Sequence, residues 1–304
     1  MDTSFTNSRE SLERAKRVRE SHWTGLTRAG QFRSIELEGF VVIPDLLSKE
    51  LVEEIREETS RLPTTAVDYS EHQRYFPDVQ WTDSPHATSV VALPAAVELL
   101  EELLGDELIC TSCTYAESRP GHPGISIHTD AQPYGNQSSG VLTSSPCLVR
   151  VLYYLDDLTP ECSPFKVIPR SHVSLHSDAN PYNRYLSHGH ELMVTCRAGS
   201  AVIINQKVFH GNFPNHSDRI RRMLAIAYRP AWAGPIDVVP ERDPDKVSGL
   251  PAAVRKYFRS LNTRKIRFDF PNRPDNMARA APGISPRRWG ADQGFGRGTP
   301  RFFA

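Results

Sequence analysis

The triplet His128, Thr129, Asp130 ends the apolar run ISIHTD, and it brings two metal-ligating side chains within two residues of each other. On a strand, residues two apart point to the same face, so this imidazole and this carboxylate aim at one point. A third ligand must come from a distant strand end, and His210 closes the apolar run SAVIINQKVFH directly before Gly211. Two imidazoles and one carboxylate on one face of an octahedron leave three positions open, which is the ligand set of non-haem iron(II) oxygenases. With eleven His in the chain, an HxD triplet alone is a weak signal. The weight comes from the ordered set: HxD at one strand end, His at another, and the basic cluster Arg219, Arg221 and Arg222 after it.

The elements that must position these residues are legible in the spacing of apolar side chains. From 105 to 232 the chain breaks into seven β-rich runs, LICTSCTYAES, ISIHTD, CLVRVLYYLDD, FKVIPRSH, ELMVTC, SAVIINQKVFH and RRMLAIAYRP, separated by Gly, Pro, Ser and Asn. Short strands with turn signals between them predict a sandwich or barrel rather than a parallel α/β sheet. Before them, Phe40 to Ile43 reads as a strand ended by Pro44, and Ser48 caps a helix to about Leu62 with Leu51, Val52, Ile55 and Leu62 as its apolar stripe. A second helix is expected from Pro94 to Leu104, ending at Gly105, and a short one near Ala252 to Leu261. Residues 8 to 22 have mixed charges at helical spacing and predict a peripheral surface helix. Residues 63 to 92 show no period and are expected to form a long, lid-like loop.

Composition sets the outer bounds. The 304 residues are 39% hydrophobic and 24% charged, ordinary for a globular domain with a real core. The N-terminal text MDTSFTNSRESLERAKRVRES has no apolar stretch behind its charges, so neither a signal peptide nor an anchor is expected, and no window has the apolar length of a membrane span. Five cysteines, Cys110, Cys113, Cys147, Cys162 and Cys196, are odd in number and sit in apolar text, which suits buried thiols in a reducing, cytoplasmic compartment. Cys110 and Cys113 form a CxxC, but no second pair follows at zinc spacing, so they are read as strand core. The formal charge is zero, yet from Pro251 onward twelve Arg or Lys stand against three Asp or Glu. Because these basic residues are scattered rather than blocked, they are read as a solvated extension and not as a nucleic-acid arm. One domain is expected: residues 1–104 supply helices, a short strand and a loop, 105–232 the catalytic core, and 233–304 a basic, largely irregular extension.

Several ordered motifs carry a resemblance to the phytanoyl-CoA dioxygenase family. They are ELEGFVVIPDLLSKE near the start, HTD at 128 to 130, PFKVIPRSH at 164 to 172, and HGNFPNHSDRIRRMLAIAY from His210, so that the resemblance runs from about Glu36 to Trp232. It implies a mainly β fold, a double-stranded β-helix (a cupin-like jelly roll) with N-terminal support helices. It also implies three co-reactants, iron(II), 2-oxoglutarate and dioxygen. In the family an Arg eleven residues after the distal His binds the far carboxylate of 2-oxoglutarate, and Arg221 holds that place. An aromatic six residues after the first His packs near the co-substrate, the place of Tyr134. Asn212 stands where many members have Ser, and its amide can still donate to a carboxylate. Arg170 stands where a PGSH-like turn usually has Gly. Since position 130 is Asp, and related halogenases have Gly or Ala there, the resemblance implies oxygenation rather than halogenation.

For the substrate the sequence offers only candidates. Arg150 shares a strand face with Leu152 and Tyr154, and such a charge is either paired structurally or aimed at an anion. His122, Gln132 and Trp81 lie in text read as loops near the barrel mouth. The expected function is hydroxylation, or a related oxidation, of a small organic metabolite by a monomer or homodimer, with 2-oxoglutarate converted to succinate. The rivals are a non-catalytic cupin-like binding protein, which has no evident use for Arg221, and the same iron chemistry ending in desaturation, epimerisation or ring closure. Nucleic-acid demethylation is a further rival that would employ the basic tail.

Overall fold

The β-rich runs form two facing sheets in a computed structural model that describes residues 16–130, 146, 148–173, 188–230 and 242–258. Its strands are β1 (Lys16–Arg19), β2 (Phe40–Ile43), β3 (Thr65–Val67), β4 (Ser70–Phe76), β5 (Leu108–Ser118), β6 (Ile125–His128), β7 (Val149–Tyr154), β8 (Phe165–Val167), β9 (Leu192–Thr195), β10 (Ala201–Asn205), β11 (His210–Asn212) and β12 (Arg221–Pro230). One sheet has the order β1-β9-β8-β11-β6 and the other β2-β10-β7-β12-β5-β4-β3. Except for the parallel β1–β9 pair, the strand pairings are antiparallel, and the fold is a jelly roll.

Strand alternation splits the apolar residues into two cores. Phe40, Val42, Leu152, Tyr154, Val202, Ile204 and Ala225 of the larger sheet meet Phe165, Val167 and Val194 of the smaller one. The alternate residues Val41, Val151, Tyr153, Ile203, Leu224, Ile226 and Tyr228 face the other way, onto a layer of helices. The larger sheet is therefore apolar on both faces. In the helix layer, Lys49–Thr59 is capped by Ser48, whose hydroxyl accepts from Leu51 N–H, and buries Val52 and Ile55. Pro94–Leu104 starts on its Pro and stops at Gly105, where φ is 98°. Residues 242–258 add Val254, Tyr257 and Phe258 to this core, and Arg242 pairs with Asp78 at 2.7 Å.

Three expectations need correction. Residues 16–19 are not helical: they form β1, beside β9, with only Val18 buried, and a 3-10 turn follows. Residues 63–92 are not a structureless loop but hold the β3–β4 hairpin, joined to β5, and the short helix Pro85–Ser89. His210 does not close one long strand. A turn after Asn205 ends β10, and His210 opens β11 in the opposite sheet.

Cys110 and Cys113 are both free, buried thiols of the helix-side core. A bulge in β5, where Ala227 pairs with Ser112 but Tyr228 with Cys110, lets residues three apart share a face. Burial pushes the Cys110 thiol up to about 12, which suits a packed core thiol rather than a reactive one.

Gly211 is the tightest point between β11 and β6. A Cβ there would collide with the carbonyl oxygen of Ile125 and stand 2.9 Å from that of Ser126. Gly211→Ala should therefore part the two strands and cost about 1–3 kcal/mol, as overpacking does. A fall in the thermal unfolding midpoint checks this.

Candidate active site

Strands β6 and β11 are antiparallel neighbours with His128 directly opposite His210, and the two ring centroids lie 4.4 Å apart. Asp130 follows two residues after His128, and its N–H donates to the carbonyl of Gln206 at 2.8 Å. Gln206 lies in the turn between β10 and β11 and is itself held by Leu148, whose N–H donates to its Oε1 at 3.0 Å. The turn that begins the second histidine's strand thus also places the carboxylate. One ligand atom from each of His128, Asp130 and His210 lies within 4.8 Å of the other two. Each imidazole uses Nδ1 toward a backbone carbonyl, His128 to Ser126 at 2.8 Å and His210 to Val208 at 3.0 Å. An N–H at Nδ1 leaves the Nε2 lone pair free, the form that binds metals.

The electrostatics fit a cation. Burial alone would raise the Asp130 carboxyl, but Arg150 and the two imidazoles outweigh it and hold it below the usual carboxylate range. Arg150 Nε pairs with Asp130 Oδ2 at 2.9 Å, and beyond this ion pair the buried oxygen has no hydrogen-bond partner among the described residues. Burial, and next the neighbouring His128, push His210 down to about 4, so it is neutral at working pH. A buried carboxylate oxygen and free imidazole nitrogens converging on one point suit a divalent metal.

A second polar site lies deeper, between the sheets. Arg221 begins β12 on the face it shares with Met223 and Ala225, which packs against the inter-sheet core. It is fully buried, and the only hydrogen bond of its side chain among the described residues runs from Nη2 to Ser163 Oγ at 3.5 Å. Its Nε and Nη1 have no partner, and no carboxylate pairs with it among the described residues. Tyr154 offers its ring face 5.9 Å away, and Asn212 Nδ2 donates to Ser163 O at 3.3 Å on the same side. A buried guanidinium without a counter-charge is costly, and a carboxylate bound in two places would offset that cost. The neighbouring arginines are occupied or outside. Arg222 reaches Asp156 at 3.7 Å, and exposed Arg219 donates to Thr159 Oγ1 at 3.3 Å.

The other candidates divide. Arg150 joins the metal site through Asp130, and His122 is buried beside the Arg221 pocket. Tyr134 and Gln132 lie outside the described residues. Trp81 is not at the mouth, because the segment carrying it packs onto the helix-side core, across the larger sheet. Trp81→Ala should lower stability by about 1–3 kcal/mol, less than for a fully buried Trp, while leaving the KM for every co-reactant unchanged; unfolding and steady-state kinetics read the two separately. Arg170 sits at φ 67°, the left-handed region that favours Gly, and its side chain forks onto Glu38 at 2.8–3.2 Å. Sequence reasoning missed Ser118, Ser163 and Gln73, buried polar residues around Arg221. Ser118 and Gln73 stand next to each other on β5 and β4, and the only signal was that one polar residue of the hairpin faces inward.

A jelly roll that gathers two imidazoles and a carboxylate at one point, and buries an unpaired arginine eleven residues after the second imidazole, has the architecture of a metal-dependent oxygenase. A profile of the phytanoyl-CoA dioxygenase (PhyH) family matches residues 35–223, and the chain belongs to that family, whose members use iron(II), 2-oxoglutarate and dioxygen. Comparison with curated protein sequences gives no significant match. Among solved structures, HygX from Streptomyces hygroscopicus with nickel and 2-oxoglutarate bound is 21% identical, with a TM-score of 0.56 over 68% of this chain and 88% of HygX. The carbocyclase SnoK from nogalamycin biosynthesis is 21% identical, with a TM-score of 0.56 over 68% of this chain and 85% of SnoK. The epimerase SnoN of the same biosynthesis is 16% identical, with a TM-score of 0.54 over 67% and 83%. These likenesses establish the fold.

Proposed function

We propose that this protein is an iron(II)- and 2-oxoglutarate-dependent oxygenase acting on a small organic molecule. His128, Asp130 and His210 are the metal ligands, and Arg221 anchors the far carboxylate of 2-oxoglutarate, with Asn212 and Tyr134 as further co-substrate contacts. The observation that carries the reading is Arg221: a fully buried cation with two unpartnered N–H groups, at the family's co-substrate position. A non-catalytic barrel would have no reason to keep it. Bound by the triad, iron(II) supplies the dioxygen chemistry that couples decarboxylation of 2-oxoglutarate to succinate with oxidation of the substrate. The chain's own residues orient and exclude. The Nδ1 bonds of His128 and His210 hold their rings, Arg150 and the Gln206 turn hold Asp130, and the apolar inter-sheet core keeps water from Arg221.

The outcome of the reaction is hydroxylation or another fate of the same chemistry. SnoN and SnoK, an epimerase and a carbocyclase on this fold, favour keeping epimerisation and ring closure in view. HygX has been solved with hygromycin B, which fits a natural-product substrate here. Among the described residues no helix is long and apolar enough to cross a membrane, and four buried free thiols suit the cytoplasm. Anaerobically purified protein, given iron(II), 2-oxoglutarate and a panel of metabolites before air is admitted, should form succinate together with a mass change in one metabolite. A panel that leaves 2-oxoglutarate untouched under every condition counts against the reading.

A further inference from the structure

His122 is a buried titratable group that the proposed chemistry leaves unused. It follows β5 in a tight turn, its N–H donating to Arg119 O at 3.0 Å and its carbonyl accepting from Asn215 N at 2.9 Å. Asn215 also donates from Nδ2 to Ser118 O and Arg219 O, each at 2.8 Å. One asparagine therefore ties the His122 turn to the segment that leads into Arg221. The imidazole is 1% exposed, and neither of its ring nitrogens has a hydrogen-bond partner among the described residues. Burying a ring with both nitrogens unsatisfied is costly, and an apolar residue would fill the same space without that cost. Such a cost persists where a ligand removes it.

The pocket's charge says which ligand. Burial, then Arg221, then the exposed His72 whose ring lies against Gly121, push His122 down to about 3. The ring is therefore neutral and offers one N–H. Arg221, whose charge acts on this ring, has Nε and Nη1 as donors without a partner among the described residues. Donors from two side chains, with a positive field and no carboxylate paired to them among the described residues, select an anionic acceptor with more than one oxygen.

Resting on the reading of Arg221 given above, we propose that His122 is a second anchor of the far carboxylate of 2-oxoglutarate, donating one ring N–H beside the guanidinium. It gives this enzyme a stricter demand for a dicarboxylic co-substrate than Arg221 alone would impose.

The test compares two keto acids on one protein. Binding of 2-oxoglutarate and of 2-oxobutyrate, which lacks the far carboxylate, is measured by calorimetry on anaerobic, iron(II)-loaded wild type, His122→Phe and His122→Gln. His122→Phe should weaken 2-oxoglutarate binding by about ten- to hundredfold, the range for a hydrogen bond to a charged group, and change 2-oxobutyrate binding by less than about threefold. His122→Gln, which keeps an N–H donor, should recover part of the loss. Equal weakening of both acids would show a structural role and overturn the proposal, as would unchanged 2-oxoglutarate binding. Arg221→Ala in the same assay separates the layers: sensitivity to Arg221 but not to His122 overturns only the second anchor. If wild type shows no preference for 2-oxoglutarate and Arg221→Ala changes nothing, the co-substrate reading itself fails. Should His122→Phe not fold, His122→Ala is read by the same pair of titrations.

Discussion

Arg221→Ala is expected to raise the KM for 2-oxoglutarate by more than about tenfold, a loss of ~2–5 kcal/mol by analogy with truncated charge pairs. The size follows from the surroundings. Arg221 is fully buried, has no carboxylate paired with it among the described residues, and leaves Nε and Nη1 free for a ligand. Without it a bound carboxylate would lie in an apolar, water-poor space with no charge to balance it. Arg222→Ala and Arg219→Ala should do much less, since Arg222 serves Asp156 and Arg219 is exposed. Steady-state kinetics with varied 2-oxoglutarate decide the matter, and a larger effect from Arg222 would mean that the inward face of β12 is misassigned.

Asp130→Ala carries the second large effect. The carboxylate is the only anionic member of the triad, and its Oδ2 is the buried oxygen that lacks a hydrogen-bond partner. Changes in residues that merely support ligands cost about 10- to 100-fold in metal affinity, so removing a charged ligand should cost more than about 100-fold and take turnover to background. Arg150 would also be left beside two imidazoles without its counter-charge. The protein should nevertheless stay folded, because Asp130 lies beyond the end of β6 and belongs to neither large apolar core. Iron content and circular dichroism of the variant test both halves. Full activity in Asp130→Ala would show the ligand assignment to be wrong.

The strands that hold the sheets together were readable because they are long or apolar. β5 and β12 coincide with the runs LICTSCTYAES and RRMLAIAYRP from end to end. Elements with little apolar text were not. β1 buries only Val18 of KRVR, and four charged or mixed residues fit a helix as well as a strand. The β3–β4 hairpin is polar, with Gln73 as the one buried residue of SEHQRYF, so its period had no apolar signal. β11 is three residues long and was hidden in the apolar text that continues from β10.

The site shows the same division. HTD and His210 were found by residue type and by the two-residue strand period; the register of β6 against β11 sets His128 opposite His210, while Asp130, past the end of β6, is placed by the Gln206 turn. The inward face of β12 could not be chosen from period alone, because the larger sheet has an apolar core on each side and both alternations look buried. His122 and Trp81 looked alike in sequence, polar or aromatic residues in turn-rich text. Tertiary packing separates them, sealing His122 beside Arg221 and laying Trp81 on the helix layer. Arg170 likewise made no sense as a substitute for Gly until Glu38 was seen to hold it at positive φ.

The most direct test of the account is an anaerobic titration of the metal-free protein with iron(II), followed by 2-oxoglutarate, on wild type, Asp130→Ala and Arg221→Ala. Wild type should take up a single iron(II) per chain and bind 2-oxoglutarate tightly only after iron is present. Asp130→Ala should take up no iron, and Arg221→Ala should take up iron normally but bind 2-oxoglutarate weakly. Iron uptake by Asp130→Ala equal to wild type, or 2-oxoglutarate binding that ignores both iron and Arg221, would contradict it.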